Sequence, residues 1–235
     1  MPSNFALQFF SVKKQQIILA CAGLALVLAL FFFGNTIPPA KPAAPVESAT
    51  ANTSNAGLDQ ILQEAKKGLT TLQLGYLVQL ENSVVRGDVK DQQITIYKQL
   101  SSFWDDSLRH HILGAFYLGE AAKLENSEKN LNFAARLMLG HLLAQANPAM
   151  GNWLATDIKA LYEQSLKINP ANDSARIGIG ACYLFGNISS SPMEGINMIR
   201  KVAEEKPENA YAQLMLGLGS VRSGQYDKAV ERFMA

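Results

Sequence analysis

The sequence predicts an all-α chain with an N-terminal transmembrane helix, a flexible tether, and an α-solenoid of helical hairpins. Three observations carry this reading. The seventeen residues from Ile17 to Phe33, IILACAGLALVLALFFF, contain no polar side chain. Residues 37–56 hold four prolines among Ala, Ser, Thr and Asn. From Gly57 onward, apolar residues recur at intervals of three and four with almost no strand pattern.

The apolar run comes first in the chain. At 1.5 Å per residue it covers roughly 26 Å, slightly under a hydrocarbon core of about 30 Å. Interfacial residues on either side extend the expected span to 15–37. A helix satisfies its own backbone hydrogen bonds in lipid, and a buried core helix would keep a polar stripe that this run lacks. A cleaved secretory signal would end on small residues, whereas this run closes on Leu28-Ala29-Leu30-Phe31-Phe32-Phe33. Ile18-Leu19-Ala20-Cys21 looks like a lipobox. However, lipid attachment at Cys21 would leave twelve further apolar residues on the mature N-terminus. An uncleaved anchor is therefore expected, with the bilayer contacted through Ile17–Phe33.

Lys13 and Lys14 precede the span, while the first twenty residues after it hold Lys41 and Glu47. The positive-inside rule places 1–14 in the cytoplasm and the remainder outside, which is the periplasm in a bacterium with two membranes. Residues 38–56 read as a tether, because proline removes helical donors and few apolar groups are present to offset the entropy of ordering.

Composition excludes several classes. The 235 residues carry 21 basic and 20 acidic side chains, and 17% of residues are charged against about 25% in ordinary soluble chains. Only Lys13, Lys14, Lys41 and Glu47 lie before Gly57, so the helical part holds 18 basic and 19 acidic groups, net −1. That balance gives no nucleic-acid-binding face. Cys21 and Cys182 are too few for a disulfide framework or a four-thiolate metal site.

In the helical part, Leu58, Ile61, Leu62, Ala65, Leu69, Leu72, Tyr76, Leu80 and Val84 form one stripe. They predict a single long helix broken at Arg86-Gly87-Asp88. Further helices are expected over 89–103, 108–123, 130–146, 151–168, 174–185, 193–205, 210–223 and from Tyr226 onward. The connections are short, as between antiparallel neighbours. Residues 57–127 read as degenerate hairpins and 128–235 as regular repeats.

The last unit begins after Pro207-Glu208-Asn209. It has Leu216-Gly217 in its first helix, Gly224-Gln225-Tyr226-Asp227 as its turn, and Ala229 and Phe233 in its second helix. The unit from Asp173 repeats this logic with Ile179-Gly180, Tyr183, Gly195-Ile196 and Ile199, and Pro207 closes it. One unit earlier, Leu139-Gly140 and Ala160 to Pro170 fit more loosely. These residues resemble the tetratricopeptide repeat (TPR). In layout the chain is also similar to the membrane-anchored, exported TPR proteins of bacteria, of the Bacteroidetes type. The resemblance implies a right-handed superhelix. Small residues (Gly180, Gly217, Ala229) would let the helices of a hairpin approach, and Tyr162, Tyr183 and Phe233 would fill the wedge between hairpins. Ala235 falls about three turns into a second helix, with no solvating cap helix after it. Truncation is expected, the alternative being cover by another chain.

No residue set reads as an active site, and no cofactor or metal is expected. His110-His111 point about 100° apart on a helix, and His141 is 30 residues away. Trp104-Asp105-Asp106 reads as a turn and N-cap. Gly178-Ile179-Gly180 lies in a helix with no strand before it, so it forms no phosphate loop. The TPR resemblance implies a concave groove lined by the first helices of the repeats, which would hold a protein or peptide segment. Its candidate residues are Ser174, Ile177, Ala181, Phe185, Tyr211, Leu214, Leu218 and Arg222. Their largely apolar character suits an amphipathic or unfolded segment more than a carboxylate clamp. The alternative is that Ile177, Leu214 and Leu218 are buried by neighbouring helices. The functions expected are an interaction scaffold in an envelope complex or a holdase for translocated proteins.

Overall fold

A computed structural model of the chain describes residues 49–86, 89–188 and 191–235, all within one compact unit. Among the described residues there are ten α-helices and no strand. In chain order they are α1 (Ala49–Lys67), α2 (Thr71–Arg86), α3 (Lys90–Ser102), α4 (His111–Glu125), α5 (Glu128–Leu143), α6 (Pro148–Ile168), α7 (Asp173–Phe185), α8 (Pro192–Glu205), α9 (Ala210–Arg222) and α10 (Tyr226–Met234). A π-helical turn, Phe103–Ser107, continues α3.

No helix among the described residues is long and apolar enough to cross a membrane. The run Ile17–Phe33, expected to do so, lies outside them, as do residues 1–14 and 38–48. Helix α1 starts at Ala49, inside the segment expected as tether.

The stripe from Leu58 to Val84 does not form one helix. Gly68 and Leu69 interrupt it, and Thr70 starts α2 through a reciprocal cap. The Thr70 backbone N–H donates to Gln73 Oε1 (2.9 Å), and the Gln73 N–H donates to Thr70 Oγ1 (3.3 Å). This Thr-x-x-Gln capping box satisfies two orphan donors locally, so it competes with a continuous helix. The break turns Leu72 out to solvent at 87% exposure, while Leu77 and Leu80 are buried instead.

The π-helical turn buries Phe103 and Trp104, which pack edge to face at 5.3 Å. Asp105 and Asp106 therefore extend a helix rather than cap the next one. Helix α4 begins at His111, after Arg109 reverses the chain with φ +55°. Three of the later helices start on asparagine caps. Asn147 accepts from Ala149 and Met150 backbone N–H, Asn172 from Ala175, and Asn209 from Tyr211 and Ala212. Each removes an orphan N–H at a helix start, typically worth about 1 kcal/mol.

Sequence neighbours pack as hairpins: α3 on α4, α5 on α6, α7 on α8, α9 on α10. Each hairpin joins the next through α4–α5, α6–α7 and α8–α9. The described residues are thus all-helical and packed in sequence-adjacent hairpins, as a helical-hairpin solenoid requires. In α7 and α8, Gly180 and Gly195 face each other. A Cβ on Gly180 would lie 2.7 Å from Ile199 Cγ1, so glycine sets this close approach. Tyr162 is fully buried beneath Gly178 of the next hairpin and fills the wedge as expected. Phe233 does not: it lies against Gly217 within its own hairpin, while Tyr183 sets its Cβ beside Gly195 and its hydroxyl acts on Lys159 of α6.

Helix α1 departs from the hairpin rule. It packs on α6, about 90 residues further along the chain, rather than pairing with α2. Gly57 permits this, since a Cβ there would sit 2.7 Å from Trp153 Cβ. Lys66 of α1 is tied to Glu81 of α2 by an ion pair of 2.8 Å.

Candidate partner groove

The first helices α5, α7 and α9 touch one another in succession, whereas α6, α8 and α10 stand further apart. The closer row is the inside of the bend, so it presents the candidate groove. The eight residues expected there divide into floor, wall and rim. Ile177 and Ala181 are fully buried, covered where α5 and α9 close over α7. Ser174, Phe185, Tyr211 and Leu218 are half-buried, while Leu214 at 43% exposure and Arg222 are exposed. Of the three positions weighed for burial, Ile177 is buried, Leu218 partly so, and Leu214 open.

At one end of the row Arg222 stacks on Phe185 (5.6 Å to the ring centroid) and donates from Nη1 to the Phe185 carbonyl (3.0 Å). At the other end Arg136 of α5 lies over the Tyr211 ring at 5.8 Å. The Tyr211 and Tyr162 hydroxyls are buried, and burial holds both above the ordinary phenol range.

The sequence reading missed the α5 part of the surface. Phe133 (57% exposed) and Leu137 (42%) lie in the open beside Lys129, Asn132 and Arg136, and together they line a cavity of about 640 Å³. Asn132 has a buried side-chain oxygen with no hydrogen-bond partner among the described residues. The signal was present. Leu214 lies three residues before Gly217, and the same offset from Gly140 gives Leu137. The surface is accordingly more basic and more amide-bearing than α7 and α9 alone indicated.

His110 and His111 are adjacent, and His141 lies 30 residues further on. His111 Nδ1 lies 2.5 Å from Asp105 Oδ1, and His110 packs edge to face on Trp104 at 5.8 Å. His141 feels the charges of His111, Asp105 and His110, and burial is the main cause lowering both His141 and His110 below the usual imidazole range. No group of three His, Cys, Asp or Glu among the described residues is arranged to hold a metal ion. Cys182 is buried and free, and burial pushes its thiol well above the ordinary range, so it stays protonated.

Another perturbed carboxyl lies outside the groove, between α4 and α6. Asp157 is 3.7 Å from Lys123, yet burial pushes its carboxyl up to about 6, with nearby Glu120 adding to the shift. Desolvation exceeds the attraction of the lysine.

No family model matches the chain, and no curated protein matches it.

Proposed function

We propose that the chain is a membrane-anchored, non-catalytic interaction scaffold of the TPR type. In this reading 15–37 spans the membrane, 1–14 is cytoplasmic, and the helices stand in the periplasm or its equivalent. The inner row of α5, α7 and α9 holds a segment of a partner protein. The observation that carries it is the run of open apolar side chains, Phe133, Leu137 and Leu214, beside Arg136 and the unpaired Asn132 amide. Open apolar side chains in a row favour burial against another chain at about 25 cal/mol per Å². The adjoining Arg136 would hold a segment's carboxylate.

The test is photocrosslinking in intact cells from a benzophenone residue at position 214. A single defined adduct is expected, and Phe133→Glu should abolish it. Absence of any adduct above the unirradiated control would refute the scaffold. The same open apolar row also favours a holdase. In that case the purified chain would suppress aggregation of an unfolded client at equimolar ratio, which a dedicated scaffold does not.

A further inference from the structure

On the outer side of the hairpins, the chain fills one surface with its own helix and leaves the equivalent one open. Helices α4 and α6 are the second members of successive hairpins. Helix α1 packs on α6, with Gly57 against Trp153, and its Leu58 lines a cavity together with Phe116 of α4. Helices α8 and α10 hold the same positions two hairpins along. Between them opens a cavity of about 620 Å³. Its apolar lining comes from Leu184, Leu216, Met193 and Ile196, and no described helix covers it.

The rim chooses the occupant. Arg200, Lys228 and Arg232 line the cavity against a single acid, Glu231. Arg200 reaches only Asn197 Oδ1 (3.4 Å), Lys228 only Gln225 Oε1 (2.6 Å), and Arg232 only Gln213 Oε1 (2.9 Å). None of the three meets a carboxylate among the described residues. Three cations held by neutral acceptors beside an apolar surface are complementary to an acidic amphipathic helix. The chain's own α1 lacks that character, because Asp59 and Glu64 are balanced by Lys66 and Lys67.

We propose that the groove between α8 and α10 docks an acidic amphipathic helix of a partner protein, packed on the outer hairpin helices as α1 is packed on α6. Its apolar side chains at i, i+3, i+4 and i+7 enter between Met193 and Leu216, and its carboxylates meet Arg200, Lys228 and Arg232. This surface is separate from the inner row, so one can fail without the other.

The probe is a fluorescein-labelled synthetic helix of about eighteen residues, with leucines at those positions and glutamates elsewhere. A second probe has lysines in place of the glutamates. Each is titrated by anisotropy with the full chain in lipid nanodiscs. Saturable binding of the glutamate probe is expected, with no binding of the lysine probe. Affinity should fall about tenfold or more in R200E/K228E, and likewise in M193E. These three side chains are exposed, and thermal melting checks that the variants stay folded. Failure of the glutamate probe to bind, or equal binding of both probes, overturns the proposal. So does a loss that follows Leu214→Glu in the inner row and not the outer substitutions. Sedimentation showing a dimer that R200E/K228E dissolves would make a second copy the occupant, and would overturn it too.

Discussion

Two glycines show how one residue type carries opposite costs at different places in the stack. Gly140 is exposed on α5, and a Cβ there meets nothing within 4 Å. Gly140→Ala should therefore stabilise the protein by about 0.5–1 kcal/mol through lower unfolded-state entropy. Gly178 lies against the buried Tyr162 ring, where a Cβ would overlap Cε2. Gly178→Ala should cost about 1–3 kcal/mol, because the ring is enclosed and cannot retreat. Urea titrations of both variants check the difference in sign. Asp157 gives a pH-dependent case. Its folded carboxyl, at about 6, binds its proton more tightly than in the unfolded chain, at 3.8. Its contribution is fully present below about 4 and is lost as pH rises through 6. Asp157→Asn should gain on the parent by at most about 3 kcal/mol at pH 7.5, with the gap closing near pH 4. His110 and His141 act in the other direction, since their lowered imidazoles favour folding above pH 6.5 and lose that as pH falls. Denaturation of parent and variant across pH 4–8 separates the two effects, because the histidine part is common to both.

Among the elements, α1 is held differently from the rest. It has no hairpin partner, and its seat depends on the absence of a side chain at position 57. Gly57→Leu would drive a branched side chain into Trp153. It should raise hydrogen exchange throughout α1 while leaving α7 to α9 unchanged. Thr70→Ala removes the capping-box hydroxyl and should cost about 1 kcal/mol, read as a lower urea midpoint at constant slope. If Gly57→Leu left α1 exchange unaltered, the seat on α6 would not hold in solution.

Stability of the stack as a whole is a sum of neighbour interfaces, so it should be graded along the chain. Helix α7 touches α5, α6, α8 and α9 and buries Ala175, Ile177, Ala181 and Cys182 completely. Helix α10 touches chiefly α9, buries only Ala229, and leaves Phe233 49% exposed. Native-state hydrogen exchange should find α10 opening first and α7 near the global limit. A probe filling the α8–α10 groove should raise protection in α10 selectively.

The sequence by itself determined the helical class, the hairpin order from α5 to α10, and the close-approach positions Gly180 and Gly217. Those features are encoded locally: a period of three and four sets a face, a small residue sets a distance, and Asn or Pro sets an end. Even the break before α2 was legible in Thr70-x-x-Gln73, although the continuous apolar stripe pointed the other way. Tertiary structure alone decided the rest. Periodicity names the apolar face of a helix but not which helix will cover it. Thus Ile177 became floor, Leu214 stayed open, and α1 went to α6 instead of α2. The same limit left the α8–α10 groove unseen. Each of these is a distance between residues far apart in the chain, set only when the hairpins stack.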